Sequence, residues 1–167
     1  MSINFVNAST TNPAPVRQPF TSTSYSIEPA NWRDLNALRH LERECFPRDA
    51  WPLLDLVGIL AFPNIVRLKA VVNGEVVGFI AGEIRPGQGS AWIATIAVLP
   101  EFRGRGIGKA LLQDCEESLK VSRIRLSVRA TNQVAIRLYE KAGYQKAGLW
   151  KDYYQDSEDA LVMEKER

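Results

Sequence analysis

The sequence predicts an α/β fold: a mixed, mostly antiparallel twisted sheet of about six to seven strands, with about four helices and one β-α-β crossover in the middle. Three observations carry this. Two β-branched runs at 65–72 and 76–85 flank Asn73-Gly74-Glu75, a hairpin signal because Asn-Gly accepts positive φ. A third run, 91–99, passes through a glycine-rich turn into an amphipathic stretch at 106–120 and then a strand at 124–129, the order of a crossover. A helix over 132–142, stopped by Gly143, precedes two more strands near 144–151 and 159–165.

Taken in order, the globular pattern begins at Tyr25 with a short strand at 24–29. A helix follows over 31–45, where Leu35, Leu38, Leu41 and Cys45 recur at three- and four-residue steps and Asn31 is the N-cap. A second helix covers 51–61. In the helix at 106–120, positions 107, 111, 115 and 119 line one apolar face. No internal repeat is present. Residues 1–24 are rich in Ser, Thr, Asn and Pro and carry no acidic side chain, a composition that buries too little to offset ordering. They are expected to be a flexible extension before a single domain at 25–167. Arg17 is their only basic side chain, which argues against a transit peptide.

A chain of 167 residues, 46% hydrophobic and 24% charged, suits one compact domain. Twenty-one Lys+Arg against 19 Asp+Glu give a net charge of +2, scattered along the chain, so no nucleic-acid partner is expected. No apolar run reaches the ~18–20 residues that span a bilayer. Cys45 and Cys115 lack metal-type spacing and the single His40 does not complete a zinc set, so no metal is expected and both cysteines read as buried thiols. A cytoplasmic protein is the expectation.

The chemistry concentrates in Arg103-Gly104-Arg105-Gly106-Ile107-Gly108-Lys109, which joins a buried strand to a helix. Successive backbone N–H groups and a helix N-terminus there suit an anion, and the glycines remove side chains that would block its approach. A P-loop needs glycine where Arg103 stands and Ser or Thr where Ala110 stands. A dinucleotide fingerprint needs glycine where Lys109 stands. A loop of this kind also serves ordinary strand-to-helix turns.

The segment 95–112, with Arg103, Gly106 and Gly108 on the pattern R/Q-x-x-G-x-G/A, resembles motif A of the GNAT superfamily of N-acetyltransferases. The resemblance implies the GNAT fold and acetyl-CoA as co-substrate. It implies pyrophosphate binding by the amides of Arg103, Gly104, Arg105, Gly106, Ile107 and Gly108, with Lys109 beside them. Backbone at Ile96, Ala97 and Val98 would meet the pantetheine arm and the acetyl carbonyl. The run 128–144 is similar to motif B of the same family, which puts a cofactor contact on Asn132 and a group facing the thioester sulfur on Tyr139. From the residues alone, Asn132 is equally a helix cap. Tyr139 shares an apolar stripe with Ala135, Leu138 and Ala142.

Residues 150–163 look like the tyrosine-pair loop and final strand of RimI-type (ribosomal-protein alanine) and other protein N-terminal acetyltransferases. The acceptor implied is a protein or peptide N-terminus, a ribosomal protein among the candidates, with Tyr153, Tyr154, Trp92 and Ser127 as substrate-side residues. One departure matters. Relatives carry Glu or His where Leu126-Ser127-Val128 has serine, and a second base position is occupied by Trp92, so the usual general base is absent. An α-amine (pKa ~7.8) is deprotonated far more cheaply at neutral pH than a lysine (pKa ~10.4), so water assisted by Asp49, Glu83 or Tyr153 could suffice. The alternatives are a small-molecule amine as acceptor, or a non-catalytic acyl-CoA sensor.

Overall fold

The computed structural model describes residues 24–167, so the expected N-terminal extension lies outside the described residues except for Ser24. Those residues form four α-helices and a seven-stranded sheet. The strands are β1 (Ser26–Pro29), β2 (Ile65–Val72), β3 (Glu75–Arg85), β4 (Ser90–Val98), β5 (Arg123–Arg129), β6 (Gln145–Trp150) and β7 (Ala160–Glu166). Their spatial order is β1-β2-β3-β4-β5-β7-β6. Every pairing is antiparallel except β4–β5, which is parallel because α3 (Ile107–Leu119) carries the chain across between them. The hairpin turns at Asn73 (φ 50°) and Gly74 (φ 83°), both left-handed, as the Asn-Gly pair requires.

The first expected helix is split. Asn31 caps a short 3-10 turn, Trp32–Asp34, through a reciprocal capping box with Asp34, and α1 proper runs Leu35–Cys45. Helix α2 spans Leu53–Ala61 and α4 spans Gln133–Lys141.

Two glycines on β3 show which face α3 covers. A Cβ on Gly78 would meet Leu111 Cδ1 at 3.0 Å, and one on Gly82 would meet Cys115 Sγ and Leu119 Cδ1, each at 3.0 Å. Even-numbered β3 residues 78–82 therefore face α3, whose Ile107, Leu111, Cys115 and Leu119 are buried as the periodicity predicts. The other face takes α1 and α2, through Leu38, Leu41, Leu56 and Ile59. Cys45 is half-buried, a correction to the expectation of two buried thiols, because the end of α1 reaches the rim of the sheet.

Candidate active site

The site begins where β4 and β5 part. Their ladder runs only from Ser90↔Arg123 to Ile93↔Leu126. Ala81 pairs with Thr95 and Gly82 with Ile93, so Ala94 is an extra residue in β4, a bulge of the kind that ends pairing beside active sites. Past it, β4 has no strand partner on its β5 side, and its polar groups there must be satisfied by other means. The Val98 carbonyl, for example, accepts from Arg103 Nε at 2.9 Å and Cys45 Sγ at 3.4 Å. Ile96, Ala97 and Val98 thus line a wedge between diverging strands.

The loop at the wedge's mouth follows the glycine pattern. After the 3-10 turn Pro100–Phe102, Gly104 (φ 75°) and Gly106 (φ 82°) both take left-handed backbone, and α3 starts at Ile107. No side-chain cap closes that helix, so its first N–H groups keep their capacity for an anion. Arg103 and Arg105 fold back instead of reaching outward: Arg105 donates to the Glu101 carbonyl at 2.9 Å and lies over the Phe102 ring. These bonds brace the loop from its own side chains, and the Arg103 N–H adds a bond to the Pro100 carbonyl at 3.3 Å. Lys109 is exposed.

Across the wedge stands α4. Asn132 does cap it, accepting from Ala135 N–H at 3.1 Å, so the structural role read from the sequence is realised. Tyr139 is 4% exposed and packs edge-on to Tyr144. Burial pushes its hydroxyl well above the usual phenol pKa, so at neutral pH it is a protonated hydrogen-bond donor. On the apolar stripe read from the sequence, Tyr139 is the buried member, with Ile136 beside it.

On the α1 side of the sheet, four aromatic rings form a continuous wall. Trp92 stacks on Trp150 (centroids 5.6 Å apart, planes at 21°), Trp150 meets Tyr153 at 5.2 Å, and Tyr153 meets Tyr154 edge-on at 5.2 Å. Trp92 is on β4 and Trp150 on β6, so their indoles lean across the intervening β5 and β7, where Ser127 pairs with Val162. Sequence reasoning placed Trp92, Tyr153 and Tyr154 here but missed Trp150, which had no spacing signal of its own.

It also missed Arg129. The last residue of β5 donates to Asp49 on the α1–α2 connection (2.8 and 2.6 Å), to Asp156 (3.0 Å) and to Glu158 (2.5 Å) on the β6–β7 loop, and lies 4.0 Å from the Tyr154 ring centroid. One guanidinium thereby pins both loops that border the aromatic wall. A cleft of about 280 Å³ opens there, lined by Arg48, Asp49, Arg129, Gln155 and Asp156. Of the groups considered as bases, Asp49 is committed to Arg129 and Glu83 to Arg85 at 3.1 Å. Tyr153 is 53% exposed at the end of the wall.

A parted β4–β5 pair with a glycine-rich, uncapped loop at its mouth and a buried tyrosine opposite suits an acyl-CoA-dependent transferase, and the chain belongs to the acetyltransferase (GNAT) family, whose model matches residues 35–144. It is an acetyl-CoA-dependent N-acetyltransferase. It is 32% identical over 153 residues to an N-alpha-acetyltransferase of Sulfurisphaera tokodaii (83% of this chain, 91% of that one). It is 33% identical over 138 residues to the N-alpha-acetyltransferase RimI of Mycobacterium tuberculosis (80% and 87%). The ribosomal-protein-S18-alanine N-acetyltransferase of Escherichia coli superposes with a TM-score of 0.78 at 28% identity, covering 86% of this chain and 94% of that one. Among the described residues no helix is long and apolar enough to cross a membrane.

Proposed function

We propose that this protein acetylates the N-terminal α-amine of a protein or peptide, and that the amine attacks acetyl-CoA directly in a ternary complex. The observation that carries the acceptor reading is the aromatic wall Trp92–Trp150–Tyr153–Tyr154, bordered by two loops that Arg129 ties together. Such a wall, open at Tyr153 and Trp150, suits an extended chain end better than a small, fully enclosed amine. The names of the relatives agree, and a ribosomal-protein N-terminus is among the candidate acceptors.

In this reading the wedge takes the pantetheine arm, the left-handed loop from Arg103 to Gly108 cradles the pyrophosphate, and Asn132 adds a contact beside its capping role. Backbone N–H groups at Ile96–Val98 polarise the acetyl carbonyl. As the N–C bond forms and the C–S bond breaks, Tyr139 donates its hydrogen bond to the departing thiolate. Its raised pKa makes complete proton transfer costly, so donation rather than ionisation is its role.

The experiment is thiol release from acetyl-CoA against free-N-terminus peptides, N-terminally blocked lysine peptides and small amines. Free N-termini should be preferred, and Tyr139→Phe should lower kcat about ten- to a hundredfold with little change in acetyl-CoA affinity. Equal or faster turnover on internal lysines or small amines would refute the acceptor reading. A wild-type kcat in Tyr139→Phe would refute the leaving-group role.

A further inference from the structure

Three carboxylates are buried among the described residues: Asp34, Glu42 and Glu116. Two of them have a lysine, Asp34 with Lys69 at 2.7 Å and Glu116 with Lys165 at 2.6 Å. Glu42, only 3% exposed on α1, has no cation within ion-pair distance among the described residues. Its Oε1 accepts from the Thr95 hydroxyl at 3.3 Å and its Oε2 from the Trp51 N–H at 3.4 Å. Both bonds are long, so neither saturates the carboxylate.

The place is as telling as the isolation. Thr95 is the first β4 residue past the Ala94 bulge, hence the first where β4 has left β5, and it points to the α1 face, opposite in direction to Gly82 and its α3 contacts. One turn beyond Glu42 on the same helix, Cys45 bonds the Val98 carbonyl. Glu42 therefore stands directly behind the segment assigned to the acetyl group, on the side from which the acceptor enters along the aromatic wall. Neither Ser127 nor Trp92 supplies a carboxylate or imidazole there.

We propose that Thr95 and Glu42 form a proton relay, in which the acceptor ammonium passes a proton to the Thr95 oxygen while the Thr95 hydroxyl proton moves to Glu42. The freed lone pair then forms the N–C bond as the C–S bond breaks. The second amine proton is lost to solvent, the departing thiolate, held by the Tyr139 hydrogen bond, takes its proton from solvent, and Glu42 returns its proton to water after product release. Thr95 touches the substrate, and Glu42 is a positioning and proton-accepting residue behind it. Burial raises the Glu42 carboxyl above its ordinary value, which brings it closer to an amine in proton affinity. The groups facing it are the Trp51 N–H, the Thr95 hydroxyl and the Cys45 thiol. Arg103 lies beyond Cys45 and interacts with that thiol.

The relay rests on amine acetylation as the reaction, whichever amine is preferred, so it is tested on the best acceptor that the panel above identifies. Glu42→Gln keeps an acceptor for the Trp51 N–H and the side-chain volume. It should lower kcat about a hundredfold, leave KM for acetyl-CoA near wild type and the protein no less stable than wild type, and remove the acidic limb of the kcat–pH profile. Thr95→Val should behave alike and Thr95→Ser should restore most of the rate. Wild-type kcat and pH profile in Glu42→Gln would overturn the relay, as would a loss that only tracks a loss of folded protein. Should Glu42→Gln not fold, Thr95→Val with a wild-type rate would overturn it equally.

Discussion

Two neighbouring glycines give the anion loop a test with opposite signs. Gly106 has φ 82°, where an alanine pays about 1–2 kcal/mol for left-handed backbone, and no packing gain offsets this because the nearest atom to a new Cβ is the Tyr25 hydroxyl at 3.9 Å. Gly108 lies in the first turn of α3 with ordinary backbone, and a Cβ there meets Leu138 Cδ2 at 3.7 Å and Val98 Cγ2 at 3.8 Å, normal contact distances. Replacing glycine by alanine within a helix gains up to about 1 kcal/mol. At roughly 3 °C per kcal/mol for a domain of this size, Gly106→Ala should melt about 3–6 °C lower and Gly108→Ala up to about 3 °C higher. Gly106→Ala should also weaken coenzyme A binding at least about tenfold, about 1.4 kcal/mol, because the loop's amides lose their aim, whereas Gly108→Ala should bind near wild type. Thermal melts and coenzyme A titration of both variants decide this. Shifts of the same sign in both, or unchanged affinity in Gly106→Ala, would refute the cradle geometry.

Arg129→Ala should destabilise by about 1–2 kcal/mol, less than the loss of a fully buried ion pair because its side chain keeps 19% exposure. It should also raise KM for peptide acceptors more than for acetyl-CoA, since both bordering loops lose their tie; equal effects on the two KM values would refute the tie. Glu42 also makes a stability prediction. Its folded pKa is raised, so its contribution is fully present below its unfolded value, near the ordinary 4.5, and is lost as pH rises through the folded value. Urea melts across that window should therefore show Glu42→Gln gaining on wild type as pH rises, and a constant difference would argue that Glu42 is not buried in its charged form.

The strand and helix order was legible because each element has a clean period: the hairpin announced itself by Asn73-Gly74 and α3 by its four-residue apolar steps. The parting strand and the glycine loop were legible for a related reason, since one continuous stretch of chain supplies both. The acceptor side was not. Arg129, Asp49 and Asp156 are drawn together from β5, the α1–α2 connection and the β6–β7 loop, and no local pattern encodes a contact between residues 80 positions apart. Trp150 is half of a stack whose other half lies on β4. Glu42 read as one charged residue in an amphipathic helix, and only its burial against Thr95 sets it apart.

The bulge at Ala94 does more than end a ladder. Residues 92 and 95 are an odd number apart, and in a regular strand they would project to opposite sides of the sheet. The inserted residue resets the alternation, so that Trp92, across from Glu83, and Thr95, across from Ala81, share the α1 face. β4 is thus read in two frames, one serving the aromatic wall and the other the Thr95–Glu42 pair. Deleting Ala94 would leave Trp92 and Thr95 two positions apart and still on one face, but would restore a regular strand, so what depends on this single inserted alanine is the irregularity at which β4 leaves β5.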